Sequence, residues 1–200
     1  MIERNFKMKR AITLILALLM CISLVSCSSN TDAPEGMMLA SNTAVVDYSL
    51  FVPQGWIIDL NGATTAAHVS DGDRTSVNVA QWNYQGTIDD WWKLEYKAQS
   101  FDSDAVFKDV KILTVNEETG EEGESCLIGG AGAKRYEYTA RLGDAFFKYI
   151  VIATVTRGSI YVMHFTFMQD SVAEGAEITY SQYDNHKEDV KKIIDSFRFN

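Results

Sequence analysis

The stretch from Phe146 to Met168 constrains this chain more than any other. Phe146 to Thr156 and Ser159 to Met168 are two runs rich in β-branched and aromatic residues, joined by Arg157-Gly158. Such runs, broken by a glycine-containing dipeptide, read as two strands and a tight turn. In the second run Tyr161, Met163, Phe165 and Phe167 alternate with Ile160, Val162, His164 and Thr166. Both faces are therefore largely apolar. Strands of that kind sit centrally, with something packed over each side. The requirement excludes a sheet with one wet face and predicts a sheet sandwiched between helices. His164 is then expected as a half-buried partner of a hydroxyl or carbonyl, not as a ligand.

The rest of the chain supplies the neighbours. Arg135 to Leu142 is a third strong strand, with Tyr136, Tyr138 and Ala140 on one face and Gly143-Asp144 turning after it. Upstream, Val45 to Val52 and Trp56-Ile57-Ile58 flank the turn Pro53-Gln54-Gly55. Thr65 to Ser70 and Thr75 to Trp82 read as a hairpin around Asp71-Gly72-Asp73. That turn lacks the remaining ligand ladder and distal Glu of a calcium loop, so a plain turn is expected. Phe107 to Val115 is a further strand. The fold class is α+β, with a central antiparallel sheet.

Two segments have helical periodicity. Thr87-Ile88-Asp89-Asp90 opens the first through a short capping box, and it runs to about Ser100. At ~100° per residue, Trp91, Leu94, Ala98 and Phe101 share one stripe, and Ile88, Trp92 and Tyr96 share a second, with Glu95 between. Adjacent tryptophans diverge, so a wide buried face with one Trp at its rim is one expectation. The other is that Trp92, Glu95 and Tyr96 line a ligand groove. The second helix runs about Ser181 to Ser196 after a loop from Ser171 to Thr179. Tyr183, His186, Val190, Ile193, Ile194 and Phe197 share its apolar stripe, which makes His186 a core or capping residue. Phe197-Arg198-Phe199 ends the chain as a short edge strand.

The N-terminus carries an address. Arg4, Lys7, Lys9 and Arg10 stand against one acid, Glu3, and Ala11 to Val25 holds no charge. This is a secretory signal, at about fifteen apolar residues too short for a stable span. Leu24-Val25-Ser26-Cys27 follows, with a small residue directly before the cysteine. It resembles the lipobox of bacterial lipoproteins, which implies acylation of Cys27 as the mature N-terminus. Two or three acyl chains would make the anchoring stable. The expected organisation is residues 1–26 as signal, 27–43 as flexible tether and 44–200 as domain. Localisation is expected to be extracytoplasmic, lipid-anchored to the cell membrane, or to an outer membrane in a two-membrane cell.

Composition then narrows the function. The chain has 18 basic and 27 acidic residues, a formal net charge of −9. Loss of the basic leader would leave about −12, which argues against nucleic acid and anionic lipid head groups. Beyond Cys27 only Cys126 remains, so no disulfide forms within the domain. There is no CxxC, no Cys/His zinc spacing, no G-x-S-x-G and no HExxH. Gly129 to Lys134 lacks the Ser or Thr of a phosphate loop and reads as a bend into a strand. Cys126, between apolar neighbours, reads as a small core residue. The acidic run Glu117 to Glu124 reads as an exposed, mobile loop; as a cation collector it has no rigid element to fix its carboxylates.

Together, Phe51-Val52-Pro53-Gln54-Gly55-Trp56, Ala133-Lys134-Arg135-Tyr136-Glu137-Tyr138, the aromatic hairpin and Asp189-Val190-Lys191-Lys192-Ile193-Ile194-Asp195-Ser196-Phe197 give a profile that resembles the PsbP-like fold, including DcrB-like and related small bacterial lipoproteins. The resemblance covers about Thr43 to Asn200 and rests on structural motifs, so it implies fold and not chemistry. Plant members assist photosystem II and influence calcium or manganese retention. No residue here matches a metal site of that family, and the role is not carried over. The expected function is a membrane-anchored, non-catalytic binding or assembly module, with no cofactor, no metal and no catalytic residue. Its expected partners are the membrane, through Cys27, and an unidentified protein or small ligand, with nucleic acid excluded. The alternatives are an extracytoplasmic enzyme, which would need Glu95 beside His164 or His186 in a pocket, or a metal-handling accessory protein.

Overall fold

The apolar hairpin forms the centre of an eight-stranded, wholly antiparallel sheet in a computed structural model. The structure describes residues 33–60, 64–70, 73–101, 107–169 and 179–200. Cys27 and its leader, Asp71-Gly72 and most of the expected 171–179 loop lie outside these. Strands β1 to β4 are Met37–Leu39, Tyr48–Ser49, Phe51–Pro53 and Ile57–Asp59. Strands β5 to β8 are Thr64–Ala67, Ser76–Asn83, Lys108–Ile112 and Glu124–Ile128. Strands β9 to β12 are Ala131–Leu142, Ala145–Thr156, Ser159–Met168 and Arg198–Phe199. The large sheet runs β4-β5-β6-β11-β10-β9-β7, and β8 pairs with the N-terminal part of β9.

Turn chemistry fixes the register of the hairpins. Thr156 pairs with Ser159 across Arg157-Gly158, and both turn residues have positive φ, 53° and 75°. Ile128 likewise pairs with Ala131 across Gly129-Gly130, at 55° and 80°. Two residues of positive φ make the turn whose twist matches that of paired strands. The Gly-rich stretch before Lys134 is thus a hairpin turn. Strand β8, which opens inside an acidic, glycine-rich context, is an addition to the elements read from the sequence.

Register places side chains on two faces. Tyr136, Tyr138, Tyr149, Val151, Ala153, Ile160, Val162 and His164 lie on one. Ile150, Ile152, Tyr161, Met163, Phe165, Phe167, Val77 and Val79 lie on the other. Helix α1 covers the first face in three consecutive parts, Ile88–Asp90, a π-helical Trp91–Tyr96 and Lys97–Ser100. Helix α2, Ser181–Ser196, lies on the second, burying Gln182, His186, Val190, Ile193 and Ser196. Tyr183 meets Phe167 edge-on at 5.3 Å.

The expectation of a sheet sandwiched between helices holds only in part. One helix lies on each face, but α2 shares its side with two small two-stranded sheets, β1-β3 and β2-β12. Part of the expected 27–43 tether is packed on the domain. Met37–Leu39 pairs with Phe51–Pro53, and Met37, Ala40 and Ser41 are buried. Met37 and Ala40 are apolar, and the Ala40 amide donates to the Leu50 carbonyl at 2.7 Å as the Gln54 amide does to that of Gly36 at 3.0 Å. Among the described residues, no helix is long and apolar enough to cross a membrane.

Candidate functional site

Helix α1 starts as its sequence dictates. Thr87 Oγ1 accepts from the Asp90 amide at 3.1 Å, and Asp90 Oδ2 accepts from the Thr87 amide at 3.4 Å. It then departs from α-helical geometry. The Lys97 amide donates to the carbonyl of Trp92, five residues back. That spacing puts more residues in each turn, so neighbouring side chains diverge by less than the ~100° of an α-helix. Trp91 and Trp92 are both buried, at 2% and 1% exposure, and Leu94 is 71% exposed. The expected rim tryptophan and the expected burial of Leu94 are both corrected by this one change of pitch.

Trp92 is a core residue. Its indole stacks on Tyr136 at 3.9 Å between ring centres and on Tyr96 at 5.0 Å. Its Nε1 donates to Glu122 at 2.6 Å, and Lys97 Nζ contacts both oxygens of Glu122 at 2.9 and 3.0 Å. Burial raises the Glu122 pKa, but the Trp92 and Lys97 hydrogen bonds outweigh it and the net shift is downward. The acidic loop is thereby tied to the core at Glu122. Asn116 Oδ1 orders its start by accepting from the amides of Glu118 and Thr119.

Tyr96 begins a polar chain inside this aromatic layer. Its hydroxyl lies 2.6 Å from that of Tyr138 and 3.1 Å from His164 Nε2. Tyr138 Oη is 3.3 Å from the same nitrogen. Burial pushes the Tyr96 hydroxyl up to about 12, against the pull of the Tyr138 hydrogen bond. Burial brings His164 down to about 4, so its imidazole is neutral at physiological pH. The two hydroxyl partners agree with the half-buried hydroxyl or carbonyl contact expected of His164 from strand alternation.

Beside this chain lies a cavity of about 530 Å³ between α1 and strands β6 and β11. Trp82, Trp91, Tyr96, Phe107, Ala80 and Val162 give it apolar walls, and Asn78, Glu95, Gln99, Ser100 and His164 supply polar groups. Trp82 stands 40% exposed, 6.4 Å from Trp91. Of the three residues expected to line a groove, Glu95 and Tyr96 are here and Trp92 is not; Trp91 takes its place. Cavities of this size and composition suit small organic ligands. Among the described residues that line it, Glu95 is the one that carries a charge.

A second constellation was missed in the sequence. His68, Asp73 and His186 lie on β5's exit, β6's approach and α2, and come together beneath Trp56. Burial lowers the His186 pKa, but hydrogen bonds with Asp73 and Asp189 outweigh it and the net shift is upward. Separations of 113 and 118 residues hid the group from any local pattern.

No known protein family matches the sequence, and no curated protein does. The fold does have a counterpart in the cyanobacterial PsbP protein of Synechocystis sp. PCC 6803. The two are 18% identical with a TM-score of 0.52, over 88% of this chain and 98% of that one. The chain has a PsbP-like fold. LpqN of Mycobacterium tuberculosis, described as involved in cell envelope biogenesis, is 11% identical with a TM-score of 0.46, over 82% of this chain and 90% of that one. A Pseudomonas aeruginosa protein of unknown function is 12% identical at 0.46, over 78% and 92%. Likenesses below 0.5 carry no weight here.

Proposed function

We propose that the chain is a lipid-anchored, extracytoplasmic binding module that captures a compact, largely apolar ligand in the cavity between α1 and the sheet. The observation that carries the binding reading is that cavity of about 530 Å³, walled by aromatic rings, with Glu95 among the described residues that line it. An apolar body would bury against Trp82, Trp91 and Phe107. A hydrogen-bond donor or positive charge would meet Glu95 and the ring faces. The anchor reading rests on the basic, apolar leader that ends in Leu24-Val25-Ser26-Cys27. A place among the DcrB-like bacterial lipoproteins fits both.

Binding is tested by fluorescence titration with N-phenyl-1-naphthylamine, an uncharged aromatic probe. Saturable capture is expected, and Ala80→Trp should abolish it by filling the cavity. Equal uptake by both proteins would sink the assignment. Glu95 and His164 line the same cavity, which favours a second reading as an enzyme. Against it, His164 Nε2 is already engaged by two tyrosine hydroxyls. Hydrolysis of a chromogenic ester that disappears in His164→Gln would support the enzyme instead.

A further inference from the structure

Two of the chain's three histidines meet on the face of the sheet opposite the aromatic cavity. One ligand atom each from His68, Asp73 and His186 lies within 4.8 Å of the others. Thr75 holds the carboxylate: Asp73 Oδ1 accepts from the Thr75 amide at 3.0 Å and from its hydroxyl at 2.9 Å. Asp73 Oδ2 is thereby turned to both imidazoles, 2.6 Å from His186 Nε2 and 3.4 Å from His68 Nδ1. His186 Nδ1 stands 3.1 Å from Asp189 Oδ2. A carboxylate on the outer nitrogen fixes the ring and the tautomer of a metal-binding histidine. His68 Nδ1 is shielded from solvent and has no hydrogen-bond partner among the described residues. Trp56, 4% exposed, lies 6.4 Å from His68 and 6.1 Å from His186, an apolar wall.

We propose that His68 Nδ1, His186 Nε2 and Asp73 Oδ2 bind a divalent transition-metal ion, zinc foremost. Two imidazoles and one carboxylate are zinc donors, whereas calcium and magnesium take oxygen. A tetrahedral ion at ~2.0–2.1 Å from each donor sets neighbouring donors ~3.3 Å apart. The His68–Asp73 pair already stands at 3.4 Å. The His186–Asp73 pair, at 2.6 Å, is at hydrogen-bond length and opens by ~0.7 Å to admit the ion. The His68 side chain is 33% exposed although its Nδ1 is shielded, so the ring reaches the surface beside the site. The ion would clamp the β5–β6 end of the sheet to α2, and binding only the folded chain it would raise the melting temperature.

The test is titration of tag-free, chelator-stripped protein with Zn²⁺ against a chromogenic chelator, repeated with Co²⁺ to record its visible absorption. One ion per chain is expected, with a raised Tm. His68→Ala should weaken zinc by at least ~100-fold and leave the metal-free Tm within about 3 °C. Asp189→Asn should weaken it by ~10–100-fold, the range for loss of an outer-shell partner. Cys126→Ser should bind as the wild type does. Absence of zinc binding by the wild type, or binding that survives both His68→Ala and Asp73→Asn, overturns the site and leaves a hydrogen-bonded triad.

Discussion

His164 shows how a single residue reports its surroundings. The unfolded chain takes up a proton near pH 6.5, the folded chain only near 4. A depressed folded pKa means that this contribution is complete above pH 6.5 and is lost as pH falls toward 4. A shift of that size corresponds to a loss of roughly 3 kcal/mol, less to the extent that solvent in the cavity reaches the ring. His164→Gln should flatten the fall of Tm between pH 6.5 and 4, and an unchanged slope would contradict the assignment. Trp92 gives the second residue-scale prediction. Trp92→Ala should cost about 3–5 kcal/mol in denaturant unfolding, because it empties a stacked core site. Trp92→Phe should retain part of the stack and cost about 1–3 kcal/mol for the lost indole hydrogen bond to Glu122, which keeps Lys97. Loss below 1 kcal/mol on Trp92→Ala would return that residue to the groove. His164 was readable beforehand because strand alternation assigns its face. Trp92 was not, because its segment takes more residues per turn than an α-helix.

At the scale of elements, local signals and tertiary ones separate cleanly. The capping box was visible as Thr87 and Asp90, and Thr87→Ala should cost about 1 kcal/mol. The central hairpin and α2 follow from turn residues and apolar stripes that act over a few positions. Strand β1 does not, since Met37–Leu39 becomes a strand only by finding the edge of β3. Trimming the chain to begin at Pro34 should leave Tm unchanged. Trimming it to begin at Ser41 should cost about 2–3 kcal/mol, since Met37 loses its burial and β3 its partner. Equal stability of the two would restore the longer tether. The His68–Asp73–His186 group was hidden for the same reason as β1. Its members become neighbours only when α2 closes over the sheet.

For the whole molecule, sheet and helices divide the work. The α1 face holds an aromatic layer with a cavity at its side, and the α2 face holds the second core and the histidine pair. The anchor and the cavity are separable claims. Cys27→Ala should abolish incorporation of labelled palmitate and release the protein from membranes, without altering probe capture by the domain. The aromatic cavity is the proposed seat of this protein's binding function. Native mass spectrometry of wild-type and Ala80→Trp protein, each purified gently from the cells that make it, reads out its occupant. A bound species of roughly a few hundred daltons, the size such a cavity admits, is expected on the wild type and none on Ala80→Trp at equal Tm. A species retained by both proteins, or found on neither, would contradict it.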